Sequence, residues 1–280
     1  GKFNPNRKLQ LNCSIGASLG SIAANWTLVN NAYLSLADTG VSLTQTYRNF
    51  EFTASSSGTV QFPFRAAAGV FEPGITYTFR LTLTEQGTSI YTDVMLEANS
   101  PPSSGTFEVT PSTGEALVTL HVLSASNWVD DVDDYPLMYQ FQYSLEASQA
   151  ETFLLRTPMQ ITYTTAIFSA GLLSTNYTVY VSVIILDTND AASHVTMKVQ
   201  ATERANDIDD TVQNLLDGIA DSLNAYDVDR VLQSVNGVSL YLDATNCSTF
   251  HAEYCSMKFN REACSSVSHT CGVCLEGFIG

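Results

Sequence analysis

The stretch Thr76-Tyr77-Thr78-Phe79-Arg80-Leu81-Thr82-Leu83-Thr84 alternates without a fault: every odd-numbered residue is apolar and every even one polar. Side chains of a β-strand point to opposite faces in turn, so a period of two predicts a strand with one face in a core and the other in water. Tyr77, Phe79, Leu81 and Leu83 form the inward set. About one hundred residues later, Asn176-Tyr177-Thr178-Val179-Tyr180-Val181-Ser182-Val183 turns Tyr177, Val179, Val181 and Val183 inward in the same way. Each strand follows a short turn segment, Glu72-Pro73-Gly74 or Ala170-Gly171. Each leads through a second turn, Gln86-Gly87-Thr88 or Thr188-Asn189-Asp190, into another strand at 91–96 or 194–200.

The correspondence extends upstream, where Asn25-Trp26 precedes the first strand by about fifty residues and Asn127-Trp128 precedes the second by about fifty. A Trp on an early strand and a Tyr opening a late one suit an immunoglobulin-type sandwich, in which the Trp fills the space between sheets and the Tyr hydroxyl ties a corner. The pattern predicts a mainly β chain with two tandem Ig-like β-sandwich domains, at 1–100 and 101–202, joined at Asn99-Ser100-Pro101-Pro102-Ser103-Ser104-Gly105. After Thr202 the period becomes helical. Ile208, Val212, Leu215, Leu216, Ile219 and Leu223 share one face, and a second helix starts at Asp227, uses Val228, Val231, Leu232 and Val235, and ends at Gly237. Residues 203–244 thus read as a helical connector, and 245–280 as a cysteine-rich tail too short to build a core without bridges.

Composition narrows the partners. Of 280 residues, 45% are apolar and only 14% charged, and the net charge is −16. So acidic a chain offers no basic face for nucleic-acid phosphates and none for anionic lipid. No apolar run reaches the ~18 residues a membrane span needs. The chain opens at Gly1 and closes at Gly280 just past a cysteine-rich run, and is read as an excised piece of a longer polypeptide. Cys13 stands alone, whereas Cys247, Cys255, Cys264, Cys271 and Cys274 cluster. N-x-S/T sequons occur at Asn12, Asn25, Asn176 and Asn246. Together these predict an oxidising, extracellular setting with disulfides and N-linked glycans, those on Asn176 and Asn25 foremost.

Four stretches carry a family resemblance: Pro101-Pro102-Ser103-Ser104-Gly105-Thr106-Phe107, Val109-Thr110-Pro111-Ser112-Thr113-Gly114-Glu115-Ala116-Leu117, Asn127-Trp128-Val129-Asp130-Asp131 and Tyr135-Pro136-Leu137-Met138-Tyr139-Gln140-Phe141. Together they resemble the REJ (receptor for egg jelly) module of polycystin-type ectodomains and of large extracellular proteins of protists and algae, over most of residues 20–240. The strand beginning at Tyr177 and its partner also resemble a PKD repeat. The tail, with Asn260-Arg261-Glu262-Ala263-Cys264 and Cys271-Gly272-Val273-Cys274-Leu275-Glu276-Gly277-Phe278, is similar to EGF-like or laminin-like segments. REJ modules often carry cysteines where this chain has Phe107 and Ala125, so the disulfide they would form is missing. The EGF-like pattern also wants a further cysteine beyond Gly280. The resemblance implies surface architecture, adhesion or mechanical roles, and no enzyme chemistry.

Gly16-Ala17-Ser18-Leu19-Gly20 fits the G-x-S-x-G of a nucleophile elbow, but that motif needs a parallel strand before it and a helix after it, and a Gly-bounded loop between strands is expected instead. Cys271-Gly272-Val273-Cys274 has thioredoxin-like spacing without an α/β context. His251 and His269 beside the cysteines admit zinc, although only one paired hook is present. Disulfides are the expected fate of the tail cysteines. Five is odd, so one pairs elsewhere, with Cys13 or with a cysteine outside this chain. Asp130, Asp131, Asp133 and Asp134 are calcium candidates by their oxygen density, set against a plain solvated acidic loop, which the lack of an EF-hand Gly or closing Glu favours. His121, His194, His251 and His269 are scattered, and no Ser/His/Asp set presents itself.

The resulting expectation is an extracellular structural glycoprotein segment, not an enzyme and without a cofactor, assembling head-to-tail into a surface scaffold or fibre. The alternative is an adhesion or receptor ectodomain that binds carbohydrate or protein. Lys2, Arg7 and Lys8 lie in a first 37 residues free of Asp and Glu, giving that arm +3 against −19 for the rest. Such an arm either pairs with a neighbouring copy's sheet edge or forms the first strand of its own domain.

Overall fold

A computed structural model describes residues 1–17, 20–30, 33–53, 58–202, 216–217, 219–220, 223–224, 228–243, 252–263 and 270–278. Seventeen strands dominate it: β1 (Lys2–Phe3), β2 (Leu9–Leu11), β3 (Ser14–Ala17), β4 (Gly20–Leu28), β5 (Tyr47–Phe52), β6 (Gly58–Gln61), β7 (Phe64–Ala66), β8 (Thr76–Glu85), β9 (Thr88–Ala98), β10 (Thr106–Thr110), β11 (Thr113–Glu115), β12 (His121–Ser126), β13 (Met138–Ser144), β14 (Phe153–Met159), β15 (Tyr163–Ala166), β16 (Thr178–Leu186) and β17 (Ala192–Thr202). Helices α1 (Val228–Asp243) and α2 (Ala252–Phe259) follow. The chain is mainly β. It divides into two compact units, each discontinuous in sequence: Gly1–Thr106 with Ser126–Tyr139 and Ile184–His194, and Phe107–Ala125 with Gln140–Val183 and Val195–Gly280.

In the first unit β8 does what its alternation dictates. Tyr77, Phe79 and Leu81 are buried, and β8 pairs with β9 across the two-residue turn Gln86-Gly87, both at positive φ as a primed hairpin turn requires. The sheet has the order β1-β9-β8-β4-β5, with the pairs β2-β7 and β3-β6 beside it. Its core is aromatic: Phe71 meets Tyr77 and Phe79 edge-on at centroid distances of 4.8 and 5.6 Å, and Phe50 meets Phe62 at 5.5 Å. The expected Tyr corner is present, as the Tyr77 hydroxyl accepts the Glu72 N–H at 2.9 Å. Trp26, buried on β4, donates its indole N–H to the Phe62 carbonyl at 3.2 Å.

The amino-terminal arm is at home. β1 runs parallel to β9, matching Lys2 with Glu97 and Phe3 with Ala98, and β2 pairs antiparallel with β7. Of the two homes left open for the arm, it takes the one within its own domain. The Leu9-Gln10-Leu11 alternation finds its partner within the chain, because pairing there needs no second molecule to be ordered.

Residues of the second unit belong to sheets of order β10-β12-β15 and β11-β17-β16-β13-β14. The latter repeats the order of the first unit's sheet, with a short strand (β11, like β1) parallel to the last long one. The two five-stranded sheets thus share one strand order, with an alignment that differs from the sequence reading. The counterpart of β4 is β13, so Trp128, which lies outside any strand and is half-buried, does not occupy the place of Trp26. Tyr177 is likewise no inward strand residue: it sits at φ 56 in a turn, and β16 begins one residue later. Phe141, Tyr143, Phe168, Leu155 and Val181 are buried core residues of this unit.

Helix α1 passes through Gly237, the expected stop, to Asp243. A mid-helix Gly costs only ~1 kcal/mol relative to Ala, which flanking turns can carry. Its packing also departs from expectation. Val228, Leu232 and Val235 are exposed, while the buried Gln233 donates its amide to the carbonyls of Leu155 and Thr165 at 3.0 and 3.2 Å. Arg156 pairs with Asp229 at 3.1 Å beside it. The helix thus docks by satisfying strand carbonyls rather than by an apolar stripe. Residues 216–217, 219–220 and 223–224 are helical; the rest of the first expected helix lies outside the described residues.

Candidate functional site

The acidic loop is the most elaborately wired polar feature of the first unit. After Val129, which bridges Ser103, the chain makes a 3₁₀ turn at Val132–Asp134 closed by the Asp134 N–H on the Asp131 carbonyl at 3.0 Å. The Tyr135 hydroxyl accepts the Asp130 N–H at 3.1 Å. Trp128 lies flat on Gly105, where any Cβ would come within 2.2 Å of the indole. The loop is not the plain solvated one that was expected. Asp133 is exposed, but Asp134 is only 1% exposed.

Three other segments of the same unit converge on it. Lys2 of β1 reaches Asp131 Oδ2 at 2.7 Å and Asp134 Oδ2 at 2.6 Å. Asp187, in the turn after β16, is buried and accepts the N–H groups of Asn189 and Ala191 on one oxygen at 2.8 and 2.9 Å. Asn189 in turn donates its side-chain amide to Asp134 Oδ1 at 2.7 Å. Asn99, fully buried at the end of β9, donates Nδ2 to Asp187 Oδ2. Arg7 pairs with Asp190 at 2.8 Å on the exposed side. Lys2 and Arg7 of the arm are therefore paired inside the unit.

Charge remains unbalanced. Asp131 and Asp134 pair with the Lys2 ammonium, whereas among the described residues no ion pair reaches Asp130 or Asp187. Hydrogen bonds from Lys2 to Asp131 and then Asp134 hold its ammonium well above the usual lysine range. Burial pushes the Asp130 carboxyl up; the Asp131 N–H opposes this, while the charges of Asp187, Asp134 and Asp131 add to it. Oxygens of Asp130, Asp134 and Asp187 lie within 4.8 Å of one another. Two buried oxygens nearby, Asp130 Oδ2 and Asn99 Oδ1, accept no hydrogen bond. Of the sequence candidates, Asp130, Asp131 and Asp134 are thus brought together and Asp133 is not. Asp187, Asn99 and Lys2 were missed as site residues; the turn read at Thr188-Asn189-Asp190 begins one residue after Asp187.

The remaining candidates are dispersed. Ser18 and Leu19 of the G-x-S-x-G lie outside the described residues; Gly16 belongs to β3, paired antiparallel with β6, and Gly20 opens β4. Cys255 of α2 is bonded to Cys271, so Cys271 does not form a redox pair with Cys274. Cys13 and Cys274 carry free thiols, and the bridge expected from Cys13 to the tail is not formed. Cys13 lies where β2 passes into β3, and its carbonyl accepts the Phe62 N–H. Cys247, Cys264, His251, His269 and Asn246 lie outside the described residues. His121 is buried against Phe168, its Nδ1 is 2.6 Å from the Pro111 carbonyl, and burial lowers its pKa; His194 is exposed. Asn12 is exposed, Asn25 half-buried in mid-sheet on β4, and Asn176 exposed in a left-handed turn at φ 54. No helix among the described residues is long and apolar enough to cross a membrane.

No curated protein matches the chain. The family model described as REJ domain matches residues 1–236, taking in both five-stranded sheets and the polar cluster, and the chain belongs to the REJ domain family.

Proposed function

We propose that this chain is an extracellular structural glycoprotein segment that builds a surface scaffold or fibre from repeated copies, and that it performs no catalysis. REJ domains occur in extracellular parts of proteins, and the Cys255–Cys271 bond suits an oxidising compartment. The observation that carries the assembly reading is the edge of β9. Along residues 88–95 every side chain is exposed, Ile90, Tyr91 and Met95 among them, while β1 covers the strand only at Glu97 and Ala98. At the other end of the same sheet stands β5. A bare edge is a template for pairing. Pairing β9 of one copy with β5 of the next is heterologous, so it propagates instead of closing. In this proposal the organisation is two Ig-like β-sandwiches at 1–100 and 101–202, a connector at 203–244 and an EGF-like tail at 245–280, with glycans on the sequons.

A second reading, an adhesion or receptor ectodomain, is favoured by the same row: Tyr91, with Arg80 held 3.8 Å over its ring, is an exposed aromatic platform for a protein or carbohydrate partner. Sedimentation of the secreted chain against an Ile90→Lys/Met95→Lys variant separates the two. Concentration-dependent growth that the variant loses supports assembly. Two monomeric proteins overturn it.

A further inference from the structure

The polar cluster of the first unit has features that its protein partners leave unexplained. Two oxygens facing each other across a calcium ion, each at 2.3–2.6 Å, stand about 4.6–5.2 Å apart. Oxygens of Asp130, Asp134 and Asp187 all lie within 4.8 Å of one another, so one ion can touch all three. Acidic clusters of this size also occur without an ion. What distinguishes this one is Asn99, a residue 0% exposed whose carboxamide is anchored in the cluster by its bond to Asp187 and whose Oδ1 is left without a donor. A buried carbonyl oxygen of this kind destabilises the fold if nothing meets it. Asp130 Oδ2 is orphaned in the same way. The donors that reach the cluster are bound elsewhere, Lys2 and Asn189 on Asp134, backbone N–H groups on Asp187 and the Asp131 N–H on Asp130 Oδ1, and the buried indole N–H of Trp128 bonds to neither oxygen. A cation that accepts electron pairs from oxygen would meet both orphaned oxygens and offset the cluster's negative charge.

We propose that Asp130, Asp134, Asp187 and the side-chain carbonyl of Asn99 bind one calcium ion. The donor set is oxygen only, without His or Cys, which selects a hard cation over zinc or copper. It mixes carboxylates with a carboxamide on separate segments, a mixture that calcium's flexible six-to-eight coordination accepts and magnesium's strict octahedron does not. The ion ties the end of β9, the acidic loop and the turn after β16 into one knot, adding to what Lys2 does from β1. This role is independent of whether copies assemble through β9.

The test is calorimetric titration of the full chain, freed of metal with EGTA, with calcium chloride, alongside Asp130→Asn, Asp187→Asn and Asp133→Asn. Expected is one ion per chain with a dissociation constant of about 10⁻⁴–10⁻³ M, the range of extracellular modules. Loss of a ligating carboxylate should weaken binding at least ~10-fold, whereas Asp133→Asn leaves it unchanged. Asp130 holds no other segment through its side chain, so Asp130→Asn decides the matter even if Asp187→Asn fails to fold. A folded chain that shows neither heat nor a rise in melting temperature by ~10 mM calcium overturns the proposal. So does an Asp130→Asn protein that binds as the wild type does.

Discussion

Replacing Lys2 by Met removes the ammonium that pairs with Asp131 and Asp134 while keeping about the length of the side chain. Two ion pairs go with it, and they are unequal. Asp131 is 62% exposed, and its pair is worth only ~0–1 kcal/mol after screening. Asp134 is 1% exposed and Lys2 19%, so that pair is close to the buried limit, in which stripping one partner costs ~3–5 kcal/mol. Asp134 keeps the Asn189 amide as a donor, which brings the expectation down to about 2–3 kcal/mol in calcium-free buffer. For a unit of this size that is a fall of roughly 5–10 °C in melting temperature. Urea unfolding followed by tryptophan fluorescence, with Lys8→Met as the control for an exposed lysine, measures it. A Lys2→Met protein within ~0.5 kcal/mol of wild type would refute the reasoning, because β1 would then not be held at the cluster by this contact.

Three further outcomes follow from the geometry. Tyr77→Phe leaves the Glu72 N–H without its acceptor and should cost about 1 kcal/mol in urea unfolding, with the fold kept. The raised Asp130 carboxyl means the folded state holds a proton that the unfolded state has released in the window just above 3.8, so in EGTA stability falls as pH rises through that window. Asp130→Asn should flatten this dependence and be the more stable protein at neutral pH, as read from urea midpoints across a pH series. Glycans should sit on Asn176 and Asn12, both exposed, in preference to the half-buried Asn25, as intact mass and peptide mapping before and after deglycosylation report.

The strands were legible where one face meets a core and the other water, and β8 shows why: its pattern, the Gln86-Gly87 turn and the Tyr77 corner are local features that the long-range fold leaves intact. The repeat was legible too, but its alignment was not. Asn127-Trp128 copies the letters of Asn25-Trp26, while strand order assigns β13 the matching place. Short motifs carry too little information to set register across a hundred residues. Helix α1 illustrates a different failure. Its apolar stripe is real, but Gln233 docks it because strand carbonyls at Leu155 and Thr165 need a donor, a demand that a helical pattern cannot announce. Half of the polar cluster was visible as consecutive aspartates. The other half, Asn99 and Asp187, lies 88 positions apart and meets only through the fold.

The assembly through sheet edges is tested most directly by electron microscopy of native material containing this chain. The account predicts filaments or a regular lattice in which the β9 edge of one copy lies against the β5 edge of the next. Isolated particles at every concentration, or an ordered array in which β9 residues 88–95 remain in solvent, would contradict it.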